Sequence, residues 1–300
     1  MDLWIVATLA AAFFQTLRFM LQKHLATAAL SATGATFARF VYSAPLVTLG
    51  LALWLFATGT TLPALSPAFW AYGALGGLAQ IAATVCVVLI FKSRNFAVGI
   101  TLKKTEVLQT ALIGLVLLGE SVSRAGLAAI LLGFVGVLLL SDPPRDGRSW
   151  RDRVFSRAMG LGLASGFLFG ISANAYRAAS LAVDSDQAIL RAAITLSAVT
   201  LMQTAAMAAW LRLREGGEIG RVLSAWRVAV WVGLASMAGS LGWFTAFTLQ
   251  NAAYVNALGQ VELIFSLAAS TLFFRERVTA RELLGIAVLA FSIVTLILIL

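Results

Sequence analysis

Residues 101–120 read TLKKTEVLQTALIGLVLLGE, and residues 257–276 read ALGQVELIFSLAASTLFFRE. Each stretch is about as long as a helix that crosses a bilayer, and each carries a glutamate at the same position, Glu106 and Glu262. The offset of 156 residues that aligns them also aligns Trp70 with Trp226, Gly77 with Gly233, Phe91 with Phe247, Asn95 with Asn251, Glu120 with Glu276 and Val122 with Val278. Polar matches in polar-poor segments rarely arise by chance, so the sequence predicts an internal repeat.

The composition is that of a membrane protein. Hydrophobic residues make up 60% of the 300 residues, charged residues make up 12%, and the mean hydropathy is +0.92. An average soluble domain has about 25% charged residues, so a soluble globular protein is excluded. Apolar stretches of spanning length lie at residues 3–22, 33–56, 67–91, 95–118, 124–141, 158–180, 186–211, 225–250, 252–274 and 278–300. Because backbone groups in hydrocarbon must be paired within their own segment, the predicted fold is an all-α integral membrane protein with ten transmembrane helices.

The repeat divides the ten spans into two sets of five. We predict a first repeat at residues 1–141, a cytoplasmic linker at residues 142–157 and a second repeat at residues 158–300. An odd number of spans makes the second repeat enter the membrane from the opposite side, so the two repeats are inverted. Inverted repeats are common in secondary transporters, whose substrate site lies near the middle of the membrane where the repeats meet.

The basic residues predict the orientation. The formal net charge is +9, but these residues lie in short gaps between apolar stretches, so nucleic-acid binding is not expected. Fifteen lysines and arginines follow odd-numbered spans, whereas only Arg124 and Arg177 lie on the other side. By the positive-inside rule, the odd-numbered loops face the cytoplasm and both termini lie outside it.

Three arginines fall within spans but near their ends, namely Arg18, Arg39 and Arg191. A charge at the bilayer centre costs about 2.5–3.5 kcal/mol on insertion scales. A long side chain near a span end can avoid this cost by extending to the membrane surface. Snorkelling is therefore the expected explanation for all three, and contact with a substrate is the alternative.

Two lysines and two glutamates lie deeper within spans. Lys103 precedes Glu106 by one helical turn, so an ion pair within the helix lowers the cost of burying both side chains. Lys104 points in another direction and needs a different partner or a hydrated cavity. Two interpretations stay open for these residues and for Glu262: they line a substrate cavity, or they form a structural network between helices.

Further polar and aromatic residues are candidates for the same cavity, namely Gln80, Asn174, Tyr176, Gln203, Trp243, Asn256 and Gln260. Tryptophan in a cavity can stack on an aromatic or cationic substrate, and helix packing is the alternative role. A carboxylate in a poorly hydrated site can take up a proton near neutral pH, so Glu106 and Glu262 are candidates for proton coupling. Glu262 is the stronger candidate because its own span carries no lysine.

The order of these motifs resembles the drug/metabolite transporter superfamily, in particular its ten-span EamA-type branch. That branch has an acidic residue followed by proline in spans 4 and 9, a Gly-Glu pair just after each span, and Arg-Phe at the start of span 2. The matching residues are Glu106-Val107, Gly119-Glu120, Glu262-Leu263, Arg275-Glu276 and Arg39-Phe40. The resemblance covers essentially the whole chain. Both prolines are absent and Arg275 replaces the second glycine, so the usual cause of a helix kink is missing at these points.

The resemblance implies a secondary transporter of a bacterial inner membrane that exports amino acids, aromatic ones included, or similar metabolites by alternating access. It also implies that spans 5 and 10 lie away from the substrate cavity. A lipid-linked-sugar flippase and a nucleotide-sugar or sugar-phosphate carrier are alternatives with the same architecture. A membrane-embedded enzyme is the weakest alternative, because the sequence has no Gly-rich phosphate loop and no histidine beyond His24.

Few residues are available for metal or redox chemistry. A single cysteine, Cys86, excludes an intramolecular disulfide, and a single histidine excludes a His-rich metal site. We therefore expect no enzymatic activity, no cofactor, no metal and no nucleic-acid partner. The expected partners are a small-molecule substrate, membrane lipid and protons, and the chain is expected to be a monomer or a weak dimer.

Overall fold

The structure, a computed structural model, describes residues 2–28, 30–91, 103–140, 157–274 and 279–300. Within these ranges the chain is helical, and its β-structure is limited to one isolated antiparallel bridge between Leu65 and Val183. The helices are α1 (Leu3–Ala28), α2 (Ala32–Thr58), α3 (Pro67–Phe91), α4 (Glu106–Leu118), α5 (Arg124–Leu140), α6 (Arg157–Leu181), α7 (Ala188–Arg214), α8 (Glu218–Ser224), α9 (Trp226–Leu249), α10 (Ala252–Gly259), α11 (Glu262–Phe274) and α12 (Ala280–Ile299).

Seven of these helices, α1, α2, α3, α6, α7, α9 and α12, are long and apolar enough to cross a membrane. Shorter apolar segments, namely α4, α5 and the stretch Ala252–Ala268, lie where the sequence predicts the remaining spans. The chain is therefore an all-helical, multi-pass membrane protein. Some predictions fall outside the described residues: those on Lys92, Arg94 and Asn95, on the linker as far as residue 156, and on residues 275–278.

The helical path is interrupted directly before both span glutamates. α10 ends at Gly259, where backbone hydrogen bonds such as that from Gln260 N to Ala257 O (3.2 Å) span three residues instead of four. In the first half a turn likewise precedes Glu106, the first residue of α4. Such tight turns are 3₁₀-like. Without proline the sequence gives no cause for a break at these points, and the structure shows one at both.

Neighbouring helices pack closely against both breaks. Gly259 lies against the ring of Trp243, and a Cβ added at this position would overlap the ring. In the first half, Gly166 of α6 passes close to the backbone at the turn, because a Cβ on it would lie 2.9 Å from the carbonyl oxygen of Lys103. Glycine also lowers helix propensity by about 1 kcal/mol relative to alanine. Glycines therefore allow other groups to approach both breaks closely.

The long helices pack in a few pairs. α3 lies along α6, α1 along α9, and α5 along α12. α2 contacts α7 and α9, α4 contacts α6, and both α10 and α11 contact α1. In the α5–α12 pair a Cβ added at Gly136 would lie 2.8 Å from the backbone nitrogen of Leu289. Small residues at such crossings allow helices in a membrane to approach closely.

The segment after α7 contains a short helix that the sequence analysis treats as loop. Glu218, the first residue of α8, is fully buried, and its carboxylate accepts a hydrogen bond from the backbone N–H of Ser31 (2.6 Å). The carboxylate of Glu215 accepts hydrogen bonds from the hydroxyls of Ser31 and Thr33. Two carboxylates thus bind the start of α2, where the free N–H groups of a helix attract negative charge.

A second polar contact joins the C-terminal ends of α4, α6 and α9. The Nε of Arg177, near the end of α6, donates to both carboxylate oxygens of Glu120 (2.8 and 2.9 Å). Its Nη1 donates to the carbonyl oxygens of Phe247 and Gln250 (2.7 and 2.9 Å), which close α9. A guanidinium satisfies terminal carbonyls that have no partner within their helix. Arg177 therefore ties together the ends of α4, α6 and α9.

Candidate functional site

The two halves of the chain meet around a central cavity. Its lining residues are Gln15, Arg39, Gln80, Lys103, Lys104, Glu106, Phe169, Ser172, Ala173, Tyr176, Ser240, Trp243, Phe244, Phe247, Asn256, Gly259, Gln260 and Glu262. In the described part of the chain, α5 and α12 contribute nothing to this wall. Nine of the eleven candidate residues line the cavity, and the exceptions are Asn174 and Gln203.

The pair expected within span 4 is present. The Nζ of Lys103 lies 3.4 Å from Oε2 of Glu106. The same ammonium faces the ring centroids of Phe169 at 5.0 Å and Phe19 at 5.5 Å. Aromatic faces attract a cation, more strongly where water is scarce. Lys103 is thus held by one carboxylate and two rings.

The ion-pair partner of Lys104 lies in the other half of the chain. Its Nζ lies 3.5 Å from Oε2 of Glu262, and the two side chains are almost completely buried. Gln15 Nε2 donates to the same carboxylate oxygen (2.8 Å), and Trp243 Nε1 donates to Gln15 Oε1 (3.1 Å). Glu262 therefore has a lysine neighbour from the other half of the chain, although its own span carries none.

The helix breaks give both glutamates a second source of stabilisation. Glu106 and Glu262 are the first residues of α4 and α11. The first N–H groups of a helix have no partner within the helix, and the aligned peptide dipoles make this end positive. Each carboxylate therefore lies beside a lysine and at the favourable end of a helix.

Arg39 lines the cavity and does not extend to the membrane surface. It is 4% exposed. Its guanidinium donates to three hydroxyl oxygens: Nε to Ser236 (2.9 Å), Nη1 to Thr84 (3.3 Å) and Nη2 to Ser240 (3.3 Å). Ser236 and Ser240 lie in the middle of α9. The snorkelling prediction is therefore wrong for Arg39, because hydroxyls of two neighbouring helices accept hydrogen bonds from three of its N–H groups inside the protein.

The other two span arginines differ from each other. Arg18 is buried, donates from Nη1 to Gln22 Oε1 (2.6 Å) and lies 4.1 Å from the ring centroid of Phe19, so snorkelling is wrong here too. Arg191 is in the first turn of α7 and donates to the carbonyl oxygen of Ser185. Neither arginine is part of the cavity wall.

Asn174 has a structural role. Its Nδ2 donates to the carbonyl oxygens of Thr110 (3.0 Å) and Gly170 (2.9 Å), which joins α6 to α4. Its predicted depth in the membrane matches that of the other candidates, but depth does not determine which face of α6 carries the side chain. The side chain points between helices. Asn256, which does line the cavity, donates to the hydroxyl of the same Thr110 (2.9 Å).

A second polar cluster joins α3, α6 and α7. The hydroxyl of Tyr176 donates to Gln80 Oε1 (3.1 Å), and the Nε2 of Gln203 donates to the same oxygen (3.0 Å). Tyr176 and Gln80 lie on the cavity wall, whereas Gln203 lies behind them. Both interpretations of the polar residues thus apply here, because the cluster joins helices and also lines the cavity.

Aromatic side chains narrow the cavity. Tyr176 stacks on Phe244 with ring centroids 4.3 Å apart, and Trp243 stacks on Phe247 at 5.7 Å. The free space is about 50 Å³, which suffices for a few water molecules and not for a metabolite. A substrate therefore needs the lining side chains to move apart. The wall also includes Gln15, Phe169, Phe244 and Phe247, which the sequence does not predict. In an apolar helix, the residue type alone does not distinguish a side chain that lines a cavity from one that packs between helices.

No metal site is evident in the ranges that the structure describes, since they hold no suitable group of three His, Cys, Asp or Glu side chains.

Comparison with known proteins identifies a fold and no family. No protein-family model and no curated protein matches the chain. Among solved structures 29 chains match. One of them, described only as "Crystal structure of protein", has a TM-score of 0.72 and 16% identity, and the match covers 98% of this chain and 97% of that chain. At this identity the likeness shows a shared fold alone.

The pair between Lys104 and Glu262 predicts a non-additive effect on stability. Lys104→Met leaves a buried carboxylate without its cation, and we expect the free energy of unfolding to fall by about 3 kcal/mol. The double variant Lys104→Met/Glu262→Gln removes both charges, so most of this loss should be regained. Unfolding of the purified proteins in one detergent measures the effect. Arg212→Met, an exposed position, is the control with an expected change within about 0.5 kcal/mol. A double variant as unstable as the summed single variants would contradict the pairing.

Proposed function

We propose that this protein is a secondary transporter that moves a small metabolite, most of all an amino acid, by alternating access. The proposal includes membership of the EamA-type branch of the drug/metabolite transporter superfamily and a place in a bacterial inner membrane. It also includes ten transmembrane helices in two inverted repeats, residues 1–141 and 158–300, joined by a cytoplasmic linker. The observation that carries the proposal is the central cavity, where side chains of both halves bury two lysine–glutamate pairs.

The packing of the helices supports the inverted repeat. Exchanging the two halves replaces α1 by α6, α2 by α7, α3 by α9, α4 by α10 with α11, and α5 by α12. The contact of α3 with α6 then becomes that of α9 with α1, and the contact of α4 with α6 becomes that of α10 and α11 with α1. The pairs α2–α7 and α5–α12 are exchanged with themselves. These are the contacts expected of two copies related by a two-fold axis in the membrane plane.

The chemistry of the cavity supports a transported solute. Ionisable side chains inside a membrane protein are costly, and they usually mark substrate or ion pathways. Here Arg39, Lys103, Lys104, Glu106 and Glu262 all lie on one cavity wall. Two stacked aromatic pairs on the same wall offer a surface for an apolar or aromatic side chain. An amino acid combines the charged and apolar groups that such a wall can bind.

A sugar-phosphate or nucleotide-sugar carrier is the second candidate. Three of the five charged side chains on the described wall are basic, and a phosphate group is recognised by arginine and lysine. The observation against it is that two of the three basic side chains are already paired with glutamates. We therefore place the amino-acid transporter first.

The proposed orientation can be tested with a reporter that is active only in the cytoplasm. Fused after Leu300, the reporter should be inactive, because the C-terminus is proposed to lie outside the cytoplasm. Inserted at Gly216, in the turn between α7 and α8, the same reporter should be active. Activity of the fusion after Leu300 would contradict the proposed topology.

Transport can be tested with purified protein in liposomes. We expect counterflow of at least one amino acid from a panel of the twenty common ones, sugar phosphates and a nucleotide sugar. Trp243→Ala removes a ring of the cavity wall, and its rate should fall about fivefold, since loss of one buried aromatic contact costs on the order of 1 kcal/mol. Trp210→Ala, which removes an exposed ring at the end of α7, should retain the rate. If no solute moves faster than in protein-free liposomes, the function proposed here is wrong.

Proton coupling can be tested in the same liposomes. We expect an imposed pH gradient to change net flux, and Glu262→Gln to abolish this response while counterflow persists, because the amide cannot exchange a proton. Asp184→Asn, an exposed carboxylate between α6 and α7, should keep the response. If Glu106→Gln abolishes the response and Glu262→Gln does not, the assignment to Glu262 is wrong.

A further inference from the structure

Arg39 carries a buried charge for which the described residues supply no carboxylate. Each cavity glutamate lies beside a lysine, in the pairs Lys103–Glu106 and Lys104–Glu262. The ion pairs found in the described ranges do not include Arg39. Its hydrogen-bond partners are three neutral hydroxyls, and the ring centroid of Phe40 lies 5.1 Å from its guanidinium carbon, so in the described ranges no carboxylate pairs with the charge. A buried charge is normally paired, so the cavity wall retains one positive charge.

The hydrogen bonds of Arg39 leave a specific pair of donors free. A guanidinium has five N–H groups, and three of them donate to Ser236, Thr84 and Ser240. The Thr84 hydroxyl donates its own proton to the carbonyl oxygen of Gln80 (2.8 Å), so towards Arg39 it acts as acceptor. One N–H on each terminal nitrogen remains. Two such N–H groups form the planar fork that binds both oxygens of a carboxylate.

A second group on the same wall also lacks a partner. Gln260 is 8% exposed, and its Oε1 accepts no hydrogen bond in the described structure, although its Nε2 donates to the carbonyl oxygen of Asn256 (3.2 Å). A buried acceptor without a donor costs about 1–3 kcal/mol. The cavity thus presents a cationic double donor at Arg39 and a neutral acceptor at Gln260, and a solute with a carboxylate and an N–H group complements both.

We propose that Arg39 binds the carboxylate of the transported solute in a two-point hydrogen bond. The solute is accordingly a carboxylic acid with one anionic group, and Gln260 accepts a hydrogen bond from its N–H. One uncompensated charge and two free donors match a carboxylate better than a dianionic phosphate, because Lys103 and Lys104 are already neutralised. This inference rests on the proposed transport function, and it names the residue that selects the solute.

Binding can be measured separately from transport. The probes are L-phenylalanine and L-leucine, each compared with its carboxamide, and glucose 6-phosphate. Ligand-induced shifts of Tm give the dissociation constants for the purified wild-type protein and for Arg39→Gln. The matched control is Arg191→Gln, since an offset of 152 residues, four fewer than in the later part of the repeat, aligns Arg191 with Arg39, and Arg191 lies outside the cavity. Counterflow of the same compounds is recorded in parallel.

We expect the wild-type protein to bind at least one acid about 10- to 100-fold more tightly than its amide, the range of a charge-assisted hydrogen bond. Arg39→Gln should weaken binding of the acid by a similar factor and change binding of the amide by less than about threefold. The preference for acid over amide should therefore collapse, which a merely structural role of Arg39 does not produce. Arg191→Gln should keep the preference.

Arg39→Lys provides the measurement if Arg39→Gln fails to fold. This variant keeps the positive charge but loses the planar pair of N–H donors of the guanidinium, so we expect acid binding to weaken by about 3- to 10-fold. Equal binding of acid and amide by the wild-type protein, no binding of either acid, tighter binding of glucose 6-phosphate, or an unchanged preference in Arg39→Gln would each overturn the proposal. If solutes show counterflow but no acid preference, the proposed transport function is retained and the proposed role of Arg39 is wrong. An acid preference that depends on Arg39 without any counterflow supports the site and removes the transport function.

Discussion

Lys104 and Glu262 are buried among helices, where each charge stabilises the other. Lys104 comes from the turn before α4, and Glu262 begins α11 in the other half of the chain. Removing water from two such charges costs several kcal/mol for each, and their attraction offsets this only while they stay close. Gln15 of α1 and Trp243 of α9 extend the contact by hydrogen bonds. The relative position of α1, α4, α9 and α11 is therefore fixed around this pair.

The helix breaks make this arrangement possible. An uninterrupted helix through residues 252–274 would place Glu262 in its middle, away from its positive end. Because α11 begins anew at Glu262, the carboxylate lies at the end of the helix that the aligned peptide dipoles make positive. Irregular backbone in a membrane protein is tolerated where protein or a cavity surrounds it. The ring of Trp243 against Gly259 provides this cover on one side, and the cavity lies on the other.

The helices and the depth of the candidate residues could be predicted from the sequence, because the need to pair backbone groups in hydrocarbon acts within each segment. The same argument could not predict which face a side chain occupies. The sequence predicts Asn174 for the cavity, but Asn174 lies between α4 and α6. It predicts that Arg39 extends to the membrane surface, but Arg39 lies in the cavity wall. The partners Ser236 and Ser240 of Arg39 are 197 and 201 positions away, and a serine in an apolar helix does not indicate which distant residue it contacts. The buried Glu218 is a similar case, because only the folded chain brings it to Ser31.

The polar contacts at the ends of the helices differ in physical character from those at the centre. Arg177 with Glu120 at one end, and Glu215 with Ser31 at the other, lie where helices end. If such contacts separate, water can replace them, and the net free energy of exchanging a hydrogen bond to a charged group with water is about 1.5–3 kcal/mol. Lys104 and Glu262 are almost completely buried, so water replaces their contact less readily. In the proposed transporter, a rocking motion that alternately opens the two ends would therefore cost less at the ends than at the centre. In the proposed transporter, the central pair keeps the halves together while the ends separate, and the solute binds beside this fixed point.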